Sequence, residues 1–334
     1  MPNGAKVGVK KRVGLVVAFA ALGEAERQSV VTAWDCAAKL AGYWTPEFLA
    51  LGLDPISARA ADVDVLVYLG ESSRFDGVVG EASRELPIVL VKSTVDELLK
   101  HAAGTPPRYR MCAGISGISR ALASTAPDAP TVDWKAIPWP SSVASMILLE
   151  KAEQSYVNIS VESFREAAED RGRPWQTSLP DHGGAFSVFL TMHDPAAAIL
   201  AHTALTLWPQ CTVLAADGMV SERAPDGQDW PARLVRVRHW SPQIKSASNL
   251  NFRKAMGRTP LPDFDSAGMV FGTMHFLDRA FSGGADPSGL HLSGRHTGPL
   301  GLMQFTASGR PYPETLVILR GGQLKIVANK DVPR

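Results

Sequence analysis

The sequence has little of what marks several specialised classes of protein. Its three cysteines, Cys36, Cys112 and Cys211, are too few and too scattered for a disulfide framework or a zinc site, and we expect buried free thiols. The 34 Lys and Arg residues nearly balance the 33 Asp and Glu residues, which leaves a formal charge of +1. That balance provides no basic stripe, so we expect no nucleic-acid partner. No run of about 18 apolar residues occurs, so we expect no transmembrane helix.

The motifs of common catalytic mechanisms are also missing. No G-x-G-x-x-G follows the first predicted strand, and no G-x-x-x-x-G-K motif occurs, so the glycines that cradle phosphates are absent. Ser116 does not lie in the G-x-S-x-G turn of hydrolases, and no two of the eight histidines have metalloprotease spacing. The sequence therefore predicts no cofactor, no metal, no catalytic residue and no enzymatic activity. The rival interpretation, an α/β enzyme of another class, needs a metal or a nucleophile set.

The N-terminal region permits two interpretations. Lys10-Lys11-Arg12 precedes an apolar stretch that ends at Leu22, a pattern also found in secretory signal peptides. The stretch is short and rich in Val, which favours a buried parallel strand over residues 12–19, followed by a helix over residues 24–40. We prefer the strand. The chain then carries no export signal, either because the protein is cytoplasmic or because the signal was left off.

Strand and helix signals alternate along the rest of the chain. A first series has apolar strands at residues 63–69 and 88–91, and a Pro-rich stretch, 125–142, separates it from a second series. Strand–turn–helix repeats of this length indicate βαβ units and parallel sheets. The sequence therefore predicts an α/β protein with two Rossmann-like lobes joined by hinge crossovers. The later elements are predicted strands at 146–149, 186–191, 213–216 and 234–238, helices at 161–171, 195–207, 250–256 and 266–281, and a terminal hairpin formed by 315–318 and 324–327.

Polar side chains recur directly after the predicted strands. In open parallel sheets, ligands bind outside the carboxyl ends of the strands. Taken singly, each residue could instead be a helix cap or a turn former, but the set spans both lobes and favours a site between them. Its members are Ser72, Ser73, Lys92, Thr94, His193 and Asp217.

The C-terminal third resembles a known family. Residues 251–258 resemble its helix ending in a "YG" or "FG" turn, residues 264–268 leading into 276–280 resemble its "Y-x-A" helix, and residues 298–305 resemble its "G-P-x-x-F" turn. The family is that of the type I periplasmic binding proteins, in particular the branched-chain amino acid and amide receptors of ABC transporters.

The resemblance implies a division into lobes. We expect an N-terminal lobe of residues 12–138 and 243–312 and a C-terminal lobe of residues 139–242 and 313–330. Hinges are expected near Trp139, near residues 240–243 and near Pro311.

The resemblance also implies roles for residues at the strand ends. Ser72 and Ser73 match the loop that meets a ligand carboxylate, and the loop containing Lys92 and Thr94 completes that carboxylate site. In the second lobe, Tyr156 stands at a ligand-contacting tyrosine, His193 at another aromatic contact, and Asp217 at the acid that holds a ligand ammonium.

The sequence also departs from the family pattern. Its second N-lobe strand is not recognisable between Tyr43 and Asp62, and Lys92 replaces a small residue and is expected to intrude on the pocket. The stretch 110–140 is unusually rich in Gly, Ser, Ala and Pro. The ligand therefore stays open: an amino acid, an amide or an apolar compound.

These observations predict a periplasmic, monomeric solute-binding protein that captures a small molecule between its lobes and serves the membrane permease of an ABC importer. Two alternatives remain: a cytoplasmic ligand-sensing regulator, or a binder of a hydrophobic, aromatic or lipid-like ligand on the same fold. For the latter, five aromatic residues either line a cleft or simply pack at lobe surfaces and hinges. They are Trp44, Phe48, Trp139, Tyr156 and Trp240.

Overall fold

The structure is a computed structural model. It divides the chain into two compact units: the first comprises Met1–Ala113, Trp240–Thr315 and Asn329–Arg334, and the second comprises Gly114–His239 and Leu316–Ala328. The described residues are 10–18, 24–51, 62–70, 72–80, 82–100, 103–143, 154–180, 184–257 and 264–329.

Fifteen strands lie within the described residues. They are β1 (Lys11–Ala18), β2 (Trp44–Leu51), β3 (Val65–Gly70), β4 (Ile88–Leu90), β5 (Arg108–Arg110), β6 (Thr131–Asp133), β7 (Trp175–Gln176), β8 (Phe186–Leu190), β9 (Cys211–Ala215), β10 (Leu234–Arg238), β11 (His296–Gly298), β12 (Gly301–Phe305), β13 (Pro311–Tyr312), β14 (Glu314–Arg320) and β15 (Gln323–Asn329).

The described α-helices alternate with these strands. They are α1 (Glu24–Leu40), α2 (Phe75–Val79), α3 (Ile115–Thr125), α4 (Gln154–Glu169), α5 (Ala196–Leu207), α6 (Ala247–Met256) and α7 (Phe264–Ser282). In the described part of the chain, no helix combines the length and the apolar character needed to span a bilayer.

The first unit is built on a parallel five-stranded sheet in the order β2-β1-β3-β4-β5. From Val13 to Ala18 every residue of β1 is buried, as expected for a strand covered on both faces, so the strand interpretation of this segment is confirmed. An edge strand, β2, pairs with β1 in the stretch where the sequence showed no strand. Pro46 and Glu47 interrupt its apolar pattern, and an edge position tolerates both because one side of the strand has no partner.

Helices α1 and α7 contribute to the hydrophobic core of the first unit. The rings of Trp34 and Trp44 lie 5.2 Å apart there, and the ring of Trp240 packs edge-on against Phe252 at 5.1 Å. Trp44 and Trp240 are each 1% exposed. The idea that these two side chains line an open cleft is therefore wrong, and the packing alternative holds for them. Phe48 has its side chain outside the described part.

The second unit is built on a seven-stranded sheet in the order β15-β14-β10-β9-β8-β6-β7. Strands β6 to β10 run parallel, whereas β14 is antiparallel to β10. The predicted terminal hairpin is present as β14 and β15. The predicted strand at 146–149 lies outside the described residues.

The first crossing between the units falls between Ala113 and Gly114, not near Trp139 as expected. The reason is β6: this strand lies within the Pro-rich stretch and pairs with β8 in the second unit. Its three residues are too few to give a periodic signal among the prolines. The other two predicted crossings lie within a few residues of the observed ones, which follow His239 and Thr315.

The cysteines are free thiols. Cys112 and Cys211 are buried and Cys36 is half-buried. Burial raises the pKa of Cys211 to about 12, against a smaller opposing effect of Arg233, so this thiol stays protonated. The thiols behave as small core residues, as the sequence predicted.

Candidate functional site

In the second unit, four polar side chains meet where the parallel strands end. His193 follows β8, Asp217 follows β9, His239 follows β10, and Tyr156 lies in the first turn of α4. The carboxyl ends of parallel strands share one edge of the sheet, which is why residues distant in sequence converge here. We call these four residues the second-unit cluster.

Asp217 is the centre of the second-unit cluster. The Tyr156 hydroxyl donates to its Oδ1 at 2.5 Å, and its Oδ2 lies 3.0 Å from Nε2 of His239. The ring of His193 packs on the ring of Tyr156 with centroids 5.4 Å apart. Both oxygens of this carboxylate are therefore engaged by side chains of the same unit.

The surroundings of Asp217 keep its carboxyl ionised. Burial acts to raise its pKa, since only 11% of the side chain is exposed. The hydrogen bond and charge of His239, the hydrogen bond of Tyr156 and the charge of His193 outweigh burial and lower the pKa from 3.8 to about 2. The cluster thus holds a buried, charged carboxylate whose stabilising groups all come from the protein.

A glycine allows the loops after β8 and β9 to come this close. A Cβ at Gly218 would lie 2.5 Å from the carbonyl oxygen of Met192 and 3.0 Å from Cδ2 of His193. The backbone N–H of Asp194 also donates to the carbonyl oxygen of Gly218 at 3.1 Å, and this bond joins the two loops. Any side chain at position 218 would push His193 and Asp217 apart.

His239 was not among the predicted site residues. It follows β10 as directly as Asp217 follows β9, and the expected hinge at residues 240–243 begins one residue later. The strand-end rule, applied to β10 as well, would have identified it. Its Nδ1 is buried and has no hydrogen-bond partner among the described residues.

The corresponding edge of the first unit carries an ion pair. Lys92 follows β4, and its Nζ lies 2.8 Å from Oδ2 of Asp265 and 3.2 Å from Oγ of Ser266, in the first turn of α7. The other oxygen of Asp265 accepts the backbone N–H of Trp240 at 2.8 Å. We call Lys92, Asp265, Ser266 and Trp240 the first-unit cluster. The expected intrusive lysine is thus paired within its own unit, by an acid that sequence reasoning missed.

The remaining predicted residues of this edge take different positions. Ser72 is half-buried in a short 3₁₀-helix, and the side chain of Ser73 lies outside the described part. Thr94 is buried, and its carbonyl accepts a hydrogen bond at 3.0 Å from Arg110. The structure brings Tyr156, His193 and Asp217 together.

A buried arginine fixes the loop that contains Thr94. Arg110 is fully buried and donates to Oδ1 of Asp96 at 2.6 Å and to Oε1 of Glu314 at 2.9 Å. Its Nε donates to the carbonyl of Cys112 at 3.1 Å. Through these bonds one guanidinium joins the segment after β4 to the segment after β5. The planar guanidinium carries several N–H donors, so it can bind several acceptors at once.

Neither edge is built as a metal centre. Among the residues that the structure describes, no three His, Cys, Asp or Glu side chains converge in a way that would hold a metal ion. The two clusters together provide two imidazoles, a phenol, an ammonium group, a hydroxyl and two carboxylates that are already paired.

The five-stranded and seven-stranded sheets, their strand order and the repeated passage of the chain between the two units agree with the fold of the type I periplasmic binding proteins, which the sequence motifs implied. No family model and no curated protein matches the sequence. Solved structures match it over nearly the whole chain, at low identity.

Three of these structures illustrate the likeness. A leucine-binding protein, LivK, from Thermotoga maritima has a TM-score of 0.66 and 15% identity over 96% of this chain and 99% of its own. The branched-chain amino acid transporter protein LivJ from Streptococcus pneumoniae, in complex with isoleucine, has a TM-score of 0.66 and 16% identity over 96% and 99%. A solute-binding protein from R. palustris, in complex with benzoate, has a TM-score of 0.62 and 14% identity over 96% of each chain.

Proposed function

We propose that the protein is a solute-binding protein that captures a small molecule reversibly, without covalent chemistry. The observation that carries the proposal is the second-unit cluster, in which Tyr156, His193, Asp217 and His239 converge at the carboxyl edge of a parallel sheet. In folds of this kind that edge is where ligands bind. The matched structures, which are named for binding leucine, isoleucine and benzoate, support the same role.

The proposed binding groups differ in what they offer a ligand. His193 is half-buried and presents an imidazole beside the Tyr156 ring. Asp217 holds Tyr156 and His239 in place, because its carboxylate accepts a hydrogen bond from each of them. A ligand that reaches these groups exchanges water for fixed dipoles, and each contact is strengthened in the lower dielectric of a closed site.

Closure of two lobes on the ligand is part of this proposal. A ligand that contacts both lobes stabilises the closed form by its differential affinity for that state. Ser72 and the loop with Lys92 and Thr94 are the proposed contributors from the first unit. Delivery to the permease of an ABC importer, a periplasmic location and a monomeric state complete the proposal, and the names of the matched transport proteins support the first of these.

Native mass spectrometry of gently purified protein tests the proposal. We expect a co-purified small molecule on the wild-type chain and a smaller bound fraction on a His193→Gln variant. His202→Gln, on α5 and outside the cluster, is the matched control and should keep the wild-type bound fraction. A wild-type chain that carries no small molecule and responds to none of a panel of amino acids, amides and carboxylic acids would contradict the proposal.

A further inference from the structure

Two buried carboxylates near the carboxyl edges of the sheets already serve groups of the protein. Asp217 receives Tyr156 on one oxygen and His239 on the other. Asp265 receives the N–H of Trp240 on one oxygen and Lys92 on the other. Each carboxylate is also paired with a nitrogen that carries or can carry a positive charge.

A third acid, Asp194, follows β8, and its side chain also accepts hydrogen bonds from the protein. Its Oδ2 accepts the backbone N–H groups of Val220 and Ser221 at 2.8 and 2.5 Å and the Ser221 hydroxyl at 2.7 Å. Its Oδ1 is shut off from solvent by the surrounding protein. Asp194 therefore holds a loop of the second unit, and a ligand does not reach its Oδ1, which is buried and has no hydrogen-bond partner in the part of the chain that the structure describes.

This matters for the ligand because a buried ammonium group needs a carboxylate as its counter-charge. Burying a charge without a partner costs several kcal/mol, and a carboxylate that already serves a lysine or a histidine compensates a second cation poorly. Beside these acids, His193 presents a half-buried imidazole and Ser72 a half-buried hydroxyl. Asp133, at the end of β6, accepts the N–H of Lys135 at 3.0 Å in an exposed position, so it offers no buried counter-charge. Lys92 is itself paired with Asp265.

We propose that the ligand is an organic anion, a carboxylate that lacks an amino group, and that the imidazole of His193 contacts it. The inference rests on the proposed solute-binding function and names the ligand class for the same site. It replaces the role that the sequence resemblance implied for Asp217. That residue acts here as a positioning residue: it holds Tyr156 and His239, and it does not receive a ligand ammonium.

Isothermal titration calorimetry with matched pairs tests the inference. Leucine is compared with isocaproate, and phenylalanine with hydrocinnamate, because each pair shares a carbon skeleton and differs only in the amino group. We expect each carboxylate to bind at least about tenfold more tightly than its amino acid. Equal or tighter binding of the amino acids would overturn the inference and leave the solute-binding function standing.

A variant separates the anion contact from general effects on the fold. His193→Gln should weaken binding of the tighter carboxylate by about tenfold, while His202→Gln keeps the wild-type affinity. Unchanged affinity in His193→Gln would overturn the assigned contact. If none of the four compounds binds, the inference fails; the solute-binding function fails as well only if native mass spectrometry also finds no co-purified molecule.

Discussion

Each of the two clusters holds a mostly buried carboxylate in place, but the two use different groups to do so. In the first-unit cluster, a 2.8 Å ion pair joins Lys92 to Asp265, and only 2% of the Asp265 side chain is exposed. In the second-unit cluster, Asp217 accepts hydrogen bonds from the phenol of Tyr156 and from the imidazole of His239, and neither group is a permanent cation. The first arrangement depends on a permanent cation, whereas the second depends on hydrogen-bond geometry.

The two clusters contain residues that are neighbours in the sequence, His239 and Trp240. His239 is held by Asp217, and the next residue, Trp240, is held through its N–H by Asp265. The crossing between the units falls between these two residues. The comparison teaches that a strand-end acid, Asp217, which the sequence pattern assigns to ligand binding, also helps to hold a crossing segment, together with an acid in the first turn of α7.

The largest effect is expected from breaking the first-unit cluster. Asp265→Ala leaves Lys92 without its carboxylate and the Trp240 N–H without its acceptor, so we expect a loss of about 3–5 kcal/mol in the free energy of unfolding. Urea denaturation at neutral pH measures it. Asp229→Ala is the matched control, because its side chain is 95% exposed and its pair with Arg223 is 4.0 Å long, and it should change stability by less than about 0.5 kcal/mol. A loss in Asp265→Ala no larger than in the control would contradict the role assigned to the ion pair.

A smaller effect is expected from breaking the second-unit cluster. Asp217→Ala removes the acceptor of Tyr156 and of His239 without stranding a permanent charge, so we expect a loss of about 1–3 kcal/mol. The same denaturation series measures it. An Asp217→Ala protein as stable as the wild type would favour the other interpretation, in which this acid is reserved for a ligand ammonium.

The charge of Asp217 makes part of the stability depend on pH. Its folded-state pKa, about 2, lies below the ordinary 3.8, so the native state favours the ionised form. The stabilisation is therefore present above pH about 4 and is lost as the pH falls towards 2, and it amounts to about 2 kcal/mol at most. We expect the stability difference between the wild type and Asp217→Asn to shrink between pH 5 and pH 3. A difference that stays constant over this range would show that the charge of Asp217 contributes nothing.

The smallest effect is expected from removing one hydroxyl. Tyr156→Phe deletes the donor to Asp217 and keeps the ring that packs on His193, so we expect a loss of about 1 kcal/mol. Thermal unfolding monitored by circular dichroism detects a change of this size. A loss as large as that of Asp217→Ala would indicate that Tyr156, and not the pairing with His239, dominates the cluster.

The sequence predicted the parts of the molecule that depend on local pattern. The buried strand β1 followed from its Val-rich run, and His193 and Asp217 were found because each directly follows a strand. Tyr156 was implied by the family resemblance, and the structure places it beside these two residues. The resemblance motifs of the C-terminal third pointed to the correct fold.

Other parts could not be predicted from the sequence because they depend on contacts between residues that lie far apart in the chain. Strand β6 has three residues, and β2 is an edge strand interrupted by Pro46 and Glu47, so neither shows a periodic signal. Asp265 lies in the first turn of α7, far along the chain from Lys92, and no spacing rule connects them. His239 follows β10 and so satisfies the rule that predicts Asp217, but the predicted set contains no residue after β10.

The central claim is that a small molecule binds at the carboxyl edges of the sheets, and hydrogen–deuterium exchange tests it directly. The protein is compared with and without the tightest ligand among isocaproate, hydrocinnamate, leucine and phenylalanine. We predict slower exchange in the segments after β4, β8, β9 and β10, which contain Lys92, His193, Asp217 and His239. Protection confined to other segments, with these four unchanged, would contradict the account.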